Sequence, residues 1–410
     1  MALLRGLRAA YLKPLARFSL ASMATTATIR DVELKERDLR LHWRDSDRRP
    51  SDVLYLFLRD NCTEPESFDK SSRQRLFNPA FDVDLNLTAK EAIVAPDGKK
   101  VTITWSDDHR SNYTASWLAE RCDGETDCTA RLTTKELWTT QTKSAARLPA
   151  FDYATIRDDS TKLLDMLLSL ETHGLAIVRN CGESDDFVEE FANVAAGYPF
   201  TTTYGNKRSF VAHGTRDGTG LRTHLPSYQY VPPISGIHCI ARENVTGGTY
   251  LFSDGFRAAE LLRKRNPEAF RLLSEMPIYF KDDPGPEFKH ATETWHPTII
   301  VDEDGHILQV CVNDGMRTPH VAVDFQDQLC DWYDAYYEFM DIIEDTQFVL
   351  RHDFEPGQLI VKDNFRILDG VERMEIAGEG KSHMNVVYVG WDEARSRARV
   401  LKTKLFGDED

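Results

Sequence analysis

No stretch of this 410-residue chain approaches the roughly 18 consecutive apolar residues of a membrane-spanning helix, so a membrane is not among its expected partners. Acidic side chains are absent from residues 1–30, a segment that holds Arg5, Arg8, Lys13, Arg17 and Arg30. Cysteine is sparse, with seven residues scattered at 62, 122, 128, 181, 239, 311 and 330. An odd, dispersed set suits free thiols in a reducing compartment and argues against a disulfide-stapled secreted scaffold. Also missing are a G-x-G-x-x-G turn, a phosphate-binding P-loop, a serine nucleophile elbow, internal repeats and low-complexity tracts. Each absence removes a common site chemistry: dinucleotide binding, nucleotide hydrolysis, and Ser/His/Asp acyl transfer.

What is present is enough apolar material for a sizeable core, with 41% hydrophobic and 10% aromatic residues. The length exceeds one ordinary domain, which predicts one large unit and a smaller one. The formal charge is −16, and it deepens once the basic leader is set aside. So acidic a body repels phosphate backbones and excludes nucleic acid as a partner. The leader is rich in Arg, Ala and Ser/Thr, and Leu3, Leu4, Leu7 and Tyr11 fall on one helical face. That composition predicts a targeting segment over 1–30 and a location in the mitochondrial matrix; a start at Met23 would leave the protein cytoplasmic.

Residues 31–145 read as a β-rich N-terminal domain. Apolar and polar residues alternate through "VELKERDLRLHWRDSDRRPSDVLYLFLRDNC" and "KKVTITWSDDHRSNY", the period of short antiparallel strands, before "TASWLAERC" turns helical. From Phe151 the pattern changes. Amphipathic helices ("STKLLDMLLSLETHG", "DDFVEEFANVAAG", "RNPEAFRLLSEM") mix with apolar strands ("LAIVRN", "ISGIHCIAR", "TIIVDE", "HILQVCVND", "GQLIVKDN", "MNVVYVGW"). Many strands with few covering helices predict a mainly β sandwich or barrel over 150–405, not a doubly wound sheet. Asp254 is placed to cap the helix "FRAAELLRKR", and His238-Cys239 reads as structural within its strand.

"YLFLRDNC", "ITWSDDHRSNYTASWL", "GIHCIARENVTGGTYLFSDGF", "VKDNFRILDG" and "VVYVGWDEARSR" occur in this order over roughly residues 34–405. Together they resemble the gamma-butyrobetaine and trimethyllysine dioxygenases. The resemblance implies a double-stranded β-helix, or jelly roll, behind the small β domain, with Fe(II) and 2-oxoglutarate in its pocket. Counting back from "IHC" it puts Arg222 and His224 where that family carries a His-x-Asp pair, and Asp369 where it carries the distal His. An arginine has no lone pair for a metal, so only His224 and Asp369 are left as weak candidate ligands, and neither metal nor 2-oxoglutarate is expected. Arg222 and Asp369 are instead expected to form an ion pair, with His224 beside them.

Ser382 stands where the resemblance puts the arginine clamp for 2-oxoglutarate; neighbouring Lys381 should point to the opposite face. Tyr204 and Tyr388 match aromatic positions around a quaternary nitrogen, but Arg208 replaces a Trp there, which predicts that a trimethylammonium ligand is repelled. In the N-terminal domain Cys62 and His109 match zinc ligands, whereas Glu64 and Ser67 stand where thiolates are wanted. Three functions follow. The chain binds a small molecule and catalyses a non-oxidative step such as isomerisation or elimination, with His224 as base. It is a non-catalytic subunit or regulator paired with an active relative, the chain being expected in any case to form a homodimer or a heterodimer with a related dioxygenase. Or it is an oxygenase with unorthodox ligands.

Overall fold

Alternating burial along Asp38–Trp43, with Leu39, Leu41 and Trp43 inward, marks the strand pattern from which the first unit is built. The computed structural model describes residues 27–45, 47–122, 133–141, 149–286 and 288–407; the targeting segment expected over 1–30 lies almost wholly outside them. Two compact units divide between Thr129 and Ala130.

In the first unit, Ile29–Leu34, Asp38–Trp43 and Ser51–Leu54 form one antiparallel sheet, and Ala89–Val94, Lys100–Trp105 and Arg110–Thr114 form another. Leu39, Leu41, Val101, Ile103 and Trp105 are wholly enclosed in their shared core. One expectation fails here. "YLFLRD" is a helix, Tyr55–Asp60, not a strand. Its buried residues, Tyr55, Leu58 and Arg59, recur at i, i+3 and i+4, so burial on a helical face overrides the β-like composition.

The second unit is a jelly roll. Its larger sheet runs in the order Lys207–Ala212, Met374–Val389, Ile234–Gly247, Gln358–Asp363, Leu175–Arg179, Ala150–Asp152. The smaller runs Thr219–Arg222, Ile367–Val371, Tyr250–Asp254, Val349–His352. Ile177, Ile237, Cys239, Phe252, Ile360 and Met384 fill the space between the sheets. Helices Ser160–His173, Phe187–Ala196 and Trp391–Phe406 cover the outer face of the larger sheet, while Gly255–Arg265, Pro267–Glu275 and Leu329–Glu344 pack beside the smaller one.

The helices start and stop where their chemistry dictates. Asp159 and Asp254 accept backbone N–H bonds as N-caps of two of them, and Gly174 ends the first with φ +75°. The tight turn "GG" has both glycines at positive φ, and a Cβ on Gly247 would stand 2.5 Å from the Arg373 carbonyl.

The boundary differs from the sequence expectation, because residues 133–141 belong to the second unit. Trp138 is 1% exposed; its amide donates to Asp254 Oδ2 at 3.0 Å and its indole N–H to the His173 carbonyl at 2.8 Å. Arg366, fully enclosed, pairs with Asp254 at 2.7 Å and donates to the carbonyls of Thr172 and Glu136.

Candidate functional site

The segment "LRTHL" alternates faces. Leu221 enters the core, Arg222 faces the cavity, Thr223 is enclosed and bonded to Val310, and His224 faces the cavity again. Antiparallel pairing sets Arg222 directly opposite Asp369. The strand then breaks sharply: Leu225 has φ +51°, a costly conformation for a branched residue. Asn364 holds the break, accepting from the His224 amide and donating to the His224 and Pro232 carbonyls, all at 2.8–2.9 Å.

Register does not make the expected ion pair. Among the described residues no carboxylate lies within 4.0 Å of the Arg222 guanidinium, and Asp369 takes other partners. His224 Nε2 is 3.0 Å from Asp369 Oδ1, and Lys362 Nζ is 2.9 Å from the same oxygen. Lys362 also donates to Asn364 Oδ1 at 2.8 Å and to the Ile367 carbonyl at 2.9 Å. The reason is reach and direction. Lys362 lies on a central strand of the larger sheet, Gln358–Asp363, with its side chain aimed between the sheets toward the smaller one, so its ammonium occupies the carboxylate and leaves the Arg222 side chain to the cavity.

The electrostatics follow from enclosure. Burial pulls the Lys362 and His224 pKa values below their ordinary ranges. Burial alone would raise Asp369, but His224 and Lys362 outweigh it and hold that carboxyl well below the usual range. With Asp369 ionised and His224 neutral, the imidazole Nε2–H donates to the carboxylate. Nδ1 is then the acceptor for the Tyr388 hydroxyl at 3.3 Å. Lys362, Asp369, His224 and Tyr388 thus form one polar chain leading to the cavity.

That cavity measures about 440 Å³. It brings together Arg222, His224, Asp369, Arg208, Ser382 and Tyr388, all of which were expected at the site from sequence. Tyr204 is not on its wall: its hydroxyl donates to Asp282 at 2.7 Å, which with burial pushes its pKa up to about 12. It sits beside the cavity, packed against the cluster between the sheets and under Arg208, whose guanidinium lies 3.8 Å above the Tyr204 ring. Lys381 faces Glu243 at 3.4 Å, away from the cavity, as strand alternation requires. Sequence reasoning missed Lys362 and Asn364. The available signal was a lysine directly after the apolar run "LIV" on a strand buried on both faces.

In the first unit, Cys62 Sγ and His109 Nε2 are 3.2 Å apart. Ser67 Oγ sits 3.4 Å from the same nitrogen and accepts from Arg59, while Glu64 accepts from Asn112. Burial, and then the Arg59 cation, lower the His109 pKa.

Residues 136–388 match the family described as taurine catabolism dioxygenase TauD, TfdA, and residues 31–126 match the gamma-butyrobetaine hydroxylase-like N-terminal family. The chain belongs to the TauD, TfdA family. Within it, the chain is 28% identical over 381 residues to human gamma-butyrobetaine dioxygenase, covering 90% of this chain and 95% of that one. It is also 28% identical to gamma-butyrobetaine dioxygenase of Pseudomonas sp. (strain AK-1), covering 87% and 92%. Trimethyllysine dioxygenase of Meyerozyma guilliermondii is 26% identical, with 84% and 89% covered. The TauD, TfdA match spans the whole polar chain from His224 to Tyr388.

Proposed function

We propose that this TauD-family chain binds a small organic molecule in the jelly-roll cavity and moves a proton on it without Fe(II), oxygen or 2-oxoglutarate. The observation that carries this reading is the Lys362 ammonium 2.9 Å from Asp369 Oδ1. The residues do not fit a ferrous ion. Arg222 offers no lone pair, and the two groups that do, His224 and Asp369, are bonded to each other. A dication would also face the Lys362 and Arg222 cations. Each like pair of unit charges costs about 4 kcal/mol at 4 Å and an effective dielectric near 20. At the co-substrate position Ser382 supplies no cation for a distal carboxylate.

The same groups suit acid–base work. Asp369 orients the imidazole, whose Nδ1 lies toward Tyr388 and the cavity. His224 Nδ1 takes a proton from the ligand or through the Tyr388 hydroxyl, the ionised Asp369 stabilises the imidazolium, and the same proton returns to a second position on the ligand. An isomerisation balances without any co-reactant.

Protein purified without oxygen and supplied with Fe(II) and 2-oxoglutarate should retain no stoichiometric iron, by metal analysis, and should form no succinate when oxygen is then admitted. Stoichiometric iron or 2-oxoglutarate turnover overturns the reading.

We also propose a mitochondrial matrix location from the acid-free, Arg-rich composition of residues 1–30. Relatives bearing the name trimethyllysine dioxygenase, mitochondrial, in rat and human, support it. A reporter fused behind residues 1–30 should enter mitochondria; a diffuse cytosolic signal refutes this.

A further inference from the structure

The cavity wall carries three guanidiniums, those of Arg208, Arg216 and Arg222, and among the described residues none has a carboxylate within 4.0 Å. The two acids on the same wall are already matched. Asp369 faces Lys362 and His224, and Asp217 lies 3.4 Å from Arg373. An acidic protein, at −16 overall, therefore keeps a locally positive pocket. The cations approach from different directions. Arg222 stands on the edge strand of the smaller sheet, Arg208 on the edge strand of the larger, and Arg216 on the segment joining them. Arg208 is fixed by ring faces, 3.8 Å above Tyr204 and 4.8 Å above Phe210, contacts that position a guanidinium without neutralising it. Between the arginines the wall is apolar, with Ile237, Met316, Met384 and Val386, and the Ser382 hydroxyl has no partner among the described residues.

We propose that the ligand is an organic carboxylate with an apolar body, its carboxylate seated on the Arg222 guanidinium and its body on the methionine-lined wall. A planar guanidinium matches a carboxylate bidentately, and a partly enclosed one without a counter-ion gains most from the pairing. The carboxylate lies beside Tyr388 and His224, so the proton transferred under the proposed function would leave a carbon or heteroatom near the charged end. Arg208 and Arg216 draw the anion in and hold cationic ligands out.

The inference rests on a cavity free of iron, and its test is separable from the iron assay. Hexanoate, hexanamide and hexyltrimethylammonium share a chain and differ in charge; each is titrated into the full-length protein by calorimetry and thermal shift. Hexanoate should bind at least about tenfold more tightly than the other two, the worth of a hydrogen bond to a charged group. Arg222→Met should remove that preference while Arg216→Met, at the exposed mouth, weakens it less. On the wild-type protein, hexanoate should protect Arg222 from phenylglyoxal, read by peptide mass spectrometry, which gives an answer even if the variant does not fold. Equal binding of hexanamide, unchanged hexanoate binding in Arg222→Met, or no protection of Arg222 overturns the proposal. If these results come with iron-free protein, only the ligand class has failed; stoichiometric iron removes the proposed function itself.

Discussion

Lys362 Nζ and Asp369 Oδ1 face each other at 2.9 Å with side chains 0% and 6% exposed. Breaking such a pair strands a buried charge. Lys362→Met should destabilise the protein by about 3–5 kcal/mol, and Lys362→Met/Asp369→Leu should recover much of that loss. Arg222→Met, which breaks no ion pair, should stay within about 1 kcal/mol of wild type. Urea unfolding of these proteins, together with the single variant Asp369→Leu, measures the values; a double variant as unstable as the sum of the two singles removes the pairing.

Trp138 gives a test of the unit boundary. Because it is enclosed against the second unit and bonded to Asp254 and His173, Trp138→Ala should cost about 3–5 kcal/mol. Hydrogen exchange should quicken in the strand Gln358–Asp363 of that unit. Exchange that quickens only in residues 27–122 would return the segment to the first unit.

Stability should fall on acidification below neutrality. Burial lowers the pKa of His238, whose Nε2–H donates to the Gly182 carbonyl and whose Nδ1 is enclosed without a partner. His173, His296 and His352 are depressed by burial too. For a depressed pKa the stabilising state is the neutral one, fully present above the unfolded value near 6.5 and lost as pH drops below it. Each such histidine contributes a slope of up to about 1.4 kcal/mol per pH unit. His238→Gln keeps a donor and cannot titrate, so unfolding free energies from pH 7 to 5 should fall less steeply than in wild type; parallel curves would refute the assignment.

The Cys62–His109 contact should be independent of zinc. A thiol, an imidazole and a hydroxyl beside the Arg59 cation do not make a four-ligand dication site. Dialysis against a chelator should leave the melting temperature unchanged, and a fall restored by zinc would contradict this.

Much of the architecture was legible from periodicity. The runs "LAIVRN" and "GQLIVKDN" became central strands because a short, continuously apolar run suits a strand buried on both faces, and "STKLLDMLLSLETHG" became a helix closed by its glycine because its period is long and unambiguous. "YLFLRD" failed because six residues hold too little periodicity to separate a helical face from a strand face. The convergence of residues 222, 224, 369 and 382 on one cavity came from the family resemblance, since residues so far apart in sequence meet only through sheet register. Lys362 and Asn364 lie within "VKDNFRILDG", yet their roles depend on which neighbour a buried ammonium can reach. Spacing along a chain does not encode that. The same gap explains the pairing wrongly expected between Arg222 and Asp369: facing positions were correct, and the nearest cation was not.

The mutual dependence of Lys362 and Asp369 has a consequence on the time scale of descent. Replacing either alone leaves its partner charged inside the protein, and the loss of about 3–5 kcal/mol is a large fraction of the roughly 5–15 kcal/mol that holds a typical domain together. A lineage carrying this arrangement therefore cannot drift through single substitutions at residue 369 without crossing a stability valley. An iron triad written in at 222, 224 and 369 would still meet the Lys362 ammonium. The lysine acts as a ratchet, and any route to a different centre must begin at residue 362 or change both positions at once.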